Sequence, residues 1–167
     1  NSNTFTDINL RDKSYGVYFR DSSPTPANNI FDTGIITNNT YGIFFEWYNG
    51  NAINNNIFRN LNISNNTNGI YINNYYSANN RFYNNYIVNT NNVFIGDPGY
   101  NNYWNTTLQD GVNIIGGAKI GGNYWSTYSG QDNNLDGIGD TAFRLTVNLN
   151  NNIDYLLQKP VLNLLKQ

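Results

Sequence analysis

Asn56-Ile57-Phe58-Arg59-Asn60-Leu61-Asn62-Ile63-Ser64, followed by Asn68-Gly69-Ile70-Tyr71-Ile72, sets the pattern of the whole chain. Leu61-Asn62-Ile63 and Ile70-Tyr71-Ile72 alternate with a period of two, the mark of a strand with one buried face. Asn and Gly stand at the corners, where tight bends need positive φ. The opening tripeptide recurs as Asn3-Thr4-Phe5, Asn29-Ile30-Phe31, Asn80-Arg81-Phe82, Asn102-Tyr103-Trp104 and Asn123-Tyr124-Trp125, at steps of 26, 27, 24, 22 and 21 residues. A second block lies about 13 residues behind it in Gly16-Val17-Tyr18-Phe19, Gly42-Ile43-Phe44-Phe45 and Gly69-Ile70-Tyr71-Ile72, and about 12 behind in Asn92-Val93-Phe94-Ile95. Between the two sit Ile8-Asn9-Leu10, Ile35-Ile36, Leu61-Asn62-Ile63 and Tyr86-Ile87-Val88.

Three short strands per repeat, with few good helix formers at helical spacing before residue 150, fit an all-β parallel β-helix of about six coils. Equivalent side chains then stack from coil to coil. Phe5, Phe31, Phe58, Phe82, Trp104 and Trp125 are expected in one interior column, and the six asparagines of the tripeptide in one amide ladder. The ladder accounts for the 38 asparagines among 167 residues, because each amide both donates and accepts along the stack. An antiparallel sandwich also gives short alternating strands, but it does not require like residues at matching points.

Composition excludes several chemistries. The chain has no His, Cys or Met. Within it, thiol and imidazole catalysis and soft-metal sites lack their side chains. A net charge of −2 leaves no basic surplus for nucleic acid. No apolar run approaches the ~18 residues of a membrane span.

The run Gly121-Gly122-Asn123-Tyr124-Trp125-Ser126-Thr127-Tyr128-Ser129-Gly130-Gln131-Asp132, continued by Asp136-Gly137-Ile138-Gly139-Asp140-Thr141-Ala142-Phe143, resembles a terminal signature of NosD-like right-handed parallel β-helix proteins. Asn152-Ile153-Asp154-Tyr155-Leu156-Leu157-Gln158-Lys159-Pro160 is similar to their closing segment, with Leu where a Pro is usual. These proteins belong to the wider group of carbohydrate-binding proteins and sugar hydrolases (CASH domains). The resemblance implies the fold, and more loosely an archaeal or bacterial surface protein. Members range from copper-site accessory proteins to surface-layer-like proteins and polysaccharide-degrading disaggregatases. The copper role lacks its ligand types here. The expected layout is coils over residues 1–130, then a calcium-like loop and capping segment over 131–167. In the cap, Val161, Leu162, Leu164 and Leu165 are expected to cover the last coil.

Asp132, Asn134, Asp136 and Asp140 place side-chain oxygens at loop positions 1, 3, 5 and 9, with Gly137 at position 6 and the Ile138 carbonyl at position 7. That spacing suits a structural Ca2+ site of modest affinity. The usual acidic residue at position 12 is Phe143, so Asp154 or water would complete the shell. The other reading is a solvated turn whose side chains cap backbone amides.

Three functional classes follow. A carbohydrate-binding and structural surface module would use outward Trp47, Tyr48, Tyr71, Tyr75 and Tyr76, with Tyr83 and Tyr100 as further candidates, because rings stack on sugar faces and Asn amides match hydroxyls. A polysaccharide hydrolase or lyase would need two carboxyl groups ~5–9.5 Å apart, and the best-placed pair is Asp21 with Glu46, the only Glu. Arg59 and Arg81, candidates for stabilising a lyase intermediate, do not fall in register. A filament subunit would associate end to end through open strand edges. The expected location is extracellular or at the cell surface, with a polysaccharide or cell-surface glycan as partner. The sequons at Asn38, Asn62, Asn65 and Asn105 are expected by chance in so Asn-rich a chain.

Overall fold

The computed structural model describes residues 2–96, 101–145 and 152–160. They contain β-strands and no helix, so nothing among them is a helix able to cross a membrane. The chain winds as a parallel β-solenoid of about four turns. One long sheet stacks β1 (Thr4–Arg11), β3 (Ile30–Thr37) and β5 (Ile57–Ser64), then continues as β7 (Arg81–Tyr83), β8 (Tyr86–Val88) and β12 (Tyr124–Trp125). The second stacks β2 (Tyr15–Arg20), β4 (Tyr41–Glu46), β6 (Asn68–Ile72) and β9 (Asn91–Ile95). Two antiparallel pairs lie outside them: β10 (Gln109–Asp110) with β11 (Lys119–Ile120), and β13 (Phe143–Arg144) with β14 (Ile153–Asp154).

The first two of the three expected strands per coil are one bent strand. Asp7, Thr33, Asn60 and Asn84 all carry positive φ, from 52° to 63°. They turn the chain in mid-strand without ending the ladder until the fourth coil, where β7 and β8 separate. The other corners, together with the bend at Asn84, follow a dipeptide rule. In Asn28-Asn29, Asn38-Asn39, Asn55-Asn56, Asn65-Asn66, Asn79-Asn80 and Asn84-Asn85 the first Asn is left-handed and the second is buried.

Those buried asparagines build the predicted ladder and two that the tripeptide did not reveal. In the first, side-chain amides link Asn3 to Asn29, Asn29 to Asn56, Asn56 to Asn80 and Asn80 to Asn102 at 2.9–3.0 Å. In the second, Asn39 donates to Asn66 and Asn66 to Asn89. In the third, Asn85 donates to Asn123 and Asn123 to Asp154. Asn123 therefore continues the Asn85 column and not that of Asn102, which corrects the six-rung expectation. The stretch 105–122, with its β10–β11 hairpin, leaves the solenoid, and the chain re-enters with Tyr124 opposite Tyr86 and Trp125 opposite Ile87.

The core lies between the sheets. Phe5, Phe31, Phe58, Phe82 and Trp104 stack with centroids 4.6–5.0 Å apart, but Phe5, expected inside, is 42% exposed and lies outside the core. Trp125, expected as a sixth member, touches Trp104 at 5.8 Å but is tilted by 56°, because it comes from the neighbouring column. Val17, Phe19, Ile43, Phe45, Ile70 and Ile72 close the core from the second sheet. Residues 161–167, the expected apolar cover, and Tyr100 lie outside the described residues.

Candidate functional site

Alternation on the second sheet sends Tyr18, Phe44, Tyr71 and Phe94 outward in register, beside Tyr15 and Tyr41. Tyr71 faces out, as its period-2 position requires. Its ring stacks on Phe94 at 4.3 Å and leans on Phe44 at 5.4 Å. Tyr18 and Phe44 stack at 5.8 Å, and Tyr15 and Tyr41 at 5.4 Å. Rings piled along the axis cover one another's faces, so this column contributes a wall more than a stacking platform for a ligand.

Exposed ring surface gathers where the chain leaves that sheet. Trp47, Tyr48, Tyr75 and Tyr76 are 49, 59, 40 and 42% exposed, on the turns that follow β4 and β6 in successive coils. Trp47 and Tyr75 meet edge to face at 5.0 Å. The Arg20 guanidinium lies 3.5 Å from the Tyr48 ring centre, a cation–π contact. The four sequence-predicted loop aromatics thus share one end of the second sheet, with Tyr71 in the ring wall beside them.

The acid pair has a different fate. Asp21 is fully buried. Its Oδ1 accepts the backbone N–H groups of Tyr48 and Asn49 at 2.8 and 2.6 Å, and its Oδ2 accepts that of Asn51 at 3.1 Å. It shapes the aromatic turn from the coil before. Glu46 points outward, accepting the Tyr18 hydroxyl and pairing with Arg20 Nε at 3.4 Å. The hydrogen bond to Glu46, with lesser help from burial, pushes the Tyr18 hydroxyl up to about 12. Asp21 and Glu46 are therefore engaged by separate partners.

On the opposite sheet, Asp32 accepts from Arg59 Nη2 at 2.7 Å and from Asn60 at 2.6 Å, while Arg59 Nη1 donates to the Tyr83 hydroxyl at 3.0 Å. The Asp32 bond holds Arg59 more firmly protonated than a free guanidinium. Arg81 lies over the Tyr103 ring, 5.0 Å from its centre. Both arginines brace neighbouring coils.

The Asp/Asn loop folds on itself. Asp132 accepts from Asp136 N at 3.2 Å and from Gly137 N at 2.9 Å. Asp136 accepts from Ile138 N at 2.8 Å and Asn134 Nδ2 at 3.0 Å. Asp140 accepts from Asn133 N at 2.8 Å and from its side chain at 2.6 Å. No three acidic side chains among the described residues group to hold a metal, so the calcium expectation finds no support. The expected fifth ligand is committed elsewhere. Asp154, fully buried, accepts from Asn123 N, Trp125 Nε1 and Leu156 N at 2.8, 2.9 and 3.2 Å. Burial pushes its carboxyl up to about 6 despite those donors.

A protein-family model described as periplasmic copper-binding protein (NosD) matches residues 1–130. No curated protein and no solved structure matches the chain. The side chains present do not fit a copper centre. Without His, Cys or Met in the chain, its donors are carboxylate, hydroxyl, amide and carbonyl groups, not the imidazole, thiolate or thioether that copper sites use.

Proposed function

Because this chain belongs to the NosD family, and because its own side chains do not suit copper, we propose that it is a carbohydrate-binding β-helix module acting outside the cytoplasm. The periplasmic description of the family supports that location. One observation carries the binding role: Trp47, Tyr48, Tyr75 and Tyr76 expose their rings together on turns from adjacent coils. Stacked coils fix the two turns relative to each other, and Asp21 ties the first of them to the coil before it. Aromatic faces cover the apolar side of a sugar ring, and the exposed Asn49 amide offers a donor and an acceptor to its hydroxyls. Binding is favoured over cleavage because Asp21 spends both oxygens on backbone amides. The glycan partner is accordingly held, not hydrolysed.

Affinity electrophoresis through gels containing soluble polysaccharides tests this reading. Trp47→Ala and Tyr75→Ala, both at exposed positions, are expected to weaken retardation about tenfold, the equivalent of ~1.4 kcal/mol, while the circular dichroism spectrum stays that of the unmodified chain. Retardation unchanged in both variants rejects the aromatic turns as the binding surface.

A further inference from the structure

The first amide ladder repeats one grip. In three successive coils the backbone N–H and the side-chain amide of one asparagine converge on the Oδ1 of the next. Asn29 donates to Asn56 at 3.0 and 2.9 Å, Asn56 to Asn80 at 3.0 and 3.0 Å, and Asn80 to Asn102 at 3.1 and 3.0 Å. The third ladder is closed by an acceptor of the chain itself, since Asn123 makes the same two bonds to Asp154 Oδ2 at 2.8 and 3.1 Å. At Asn102 the grip meets no oxygen among the described residues. Its Nδ2 gives one hydrogen to the Ser77 carbonyl at 3.1 Å, as the rungs before it do with carbonyls of the preceding coil.

Asn102 lines a cleft of about 230 Å³, together with Tyr103, Trp104, Asn105, Ile153 and Tyr155. No charged side chain lines it. Beside it, fully buried Asn152 accepts the Trp104 indole N–H at 3.0 Å, and its Nδ2 has no partner among the described residues. Among the described residues, the unmet group that lines the cleft is therefore a donor, the rung-like N–H pair of Asn102, with the buried Asn152 amide behind it. A donor left unpaired in a cleft wall is unfavourable, so the cleft favours a ligand that brings a carbonyl oxygen. Tyr103 and Tyr155, both well exposed, add apolar ring surface at its rim. The volume lies below the ~300 Å³ at which drug-sized pockets begin, so it suits a single ring with a small substituent.

We propose that this cleft binds an N-acetylated sugar unit. Its acetamido oxygen takes the place that the next rung's Oδ1 holds in the preceding coils, its methyl lies against the rings, and its pyranose face rests on Tyr155. The site lies apart from the aromatic turns and shares with the previous reading only its ligand class.

The test is a titration of the ¹⁵N-labelled chain with N-acetylglucosamine and N-acetylgalactosamine, with glucose and galactose as controls. It follows the indole N–H resonance of Trp104, identified by its loss in Trp104→Phe. The acetylated sugars are expected to shift that resonance and the plain hexoses to leave it in place. Tyr155→Ala, an exposed change that leaves the core intact, is expected to weaken the response about tenfold. No shift with either acetylated sugar, an equal shift with glucose, or a response untouched by Tyr155→Ala overturns the proposal. Trp47→Ala leaves this titration unchanged, so failure here and failure of the aromatic-turn site are read separately.

Discussion

Removing the side chain of Asn56 strips two Asn29 donors of the Oδ1 they share and deprives Asn80 Oδ1 of one of its donors, all inside the buried ladder. Stranded buried donors cost ~1–3 kcal/mol each, so Asn56→Ala is expected to lose roughly 3 kcal/mol in urea unfolding. Asn3→Ala, at an exposed rung with one bond, is expected to lose less than about 1 kcal/mol. Equal losses would show that water serves the rungs as well as amides do. At this scale the sequence was legible where chemistry repeats: Asn-x-aromatic marks the first ladder through its fifth rung. Asn39, Asn66 and Asn85 went unread, although each is the second member of an Asn-Asn pair. The Asp21 role was hidden too, because an Asp after a strand looks the same whether it faces solvent or caps a neighbouring coil's turn.

Elements here are strands bent in the middle, and their bends need backbone freedom. Gly34 has φ +129° between Ile8 and Leu61 in the stacked strands. A Cβ there would stand 2.2 Å from the Ile8 carbonyl oxygen. Gly34→Ala therefore combines an unfavourable φ with overpacking against backbone, expected to cost about 2–4 kcal/mol and to show as a lower urea midpoint. A loss below about 1 kcal/mol would mean that β1 slides to make room. Strand positions on the second sheet were readable from alternation, since Val17, Phe19, Ile43 and Phe45 point inward as that period demands. The bend was not, because Asp7, Thr33 and Asn60 share a conformation without sharing a residue type. The loop at 132–140 misled for a related reason: alternate oxygens suit a cation and suit backbone amides equally, and in the fold the amides take them.

For the molecule as a whole, Asp154 joins the closing segment to the third ladder and to the Trp125 indole. Its carboxyl is raised from 3.8 to about 6 in the fold, so the folded chain binds this proton more tightly than the unfolded one. The stability that protonation contributes is complete below pH ~3.8 and is lost as the pH climbs through about 6. Thermal unfolding between pH 4 and 7 is expected to show this downward component in the unmodified chain and to lose it in Asp154→Asn. A pH profile identical in both would assign the slope to other carboxylates. The same end of the molecule was the least legible in sequence, because the excursion between Trp104 and Asn123 breaks the count that made the earlier repeats visible.

That excursion has a consequence for how such a chain changes over time. The spans between bonded rungs are 26, 27, 24, 22 and 38 residues, yet each begins and ends on the same amide handshake. Length between handshakes is therefore a free variable, and phase is restored wherever an asparagine can grasp its neighbour. Insertions can be spliced between coils as tabs are glued between the pages of a bound book, enlarging the rim while the spine stays in step.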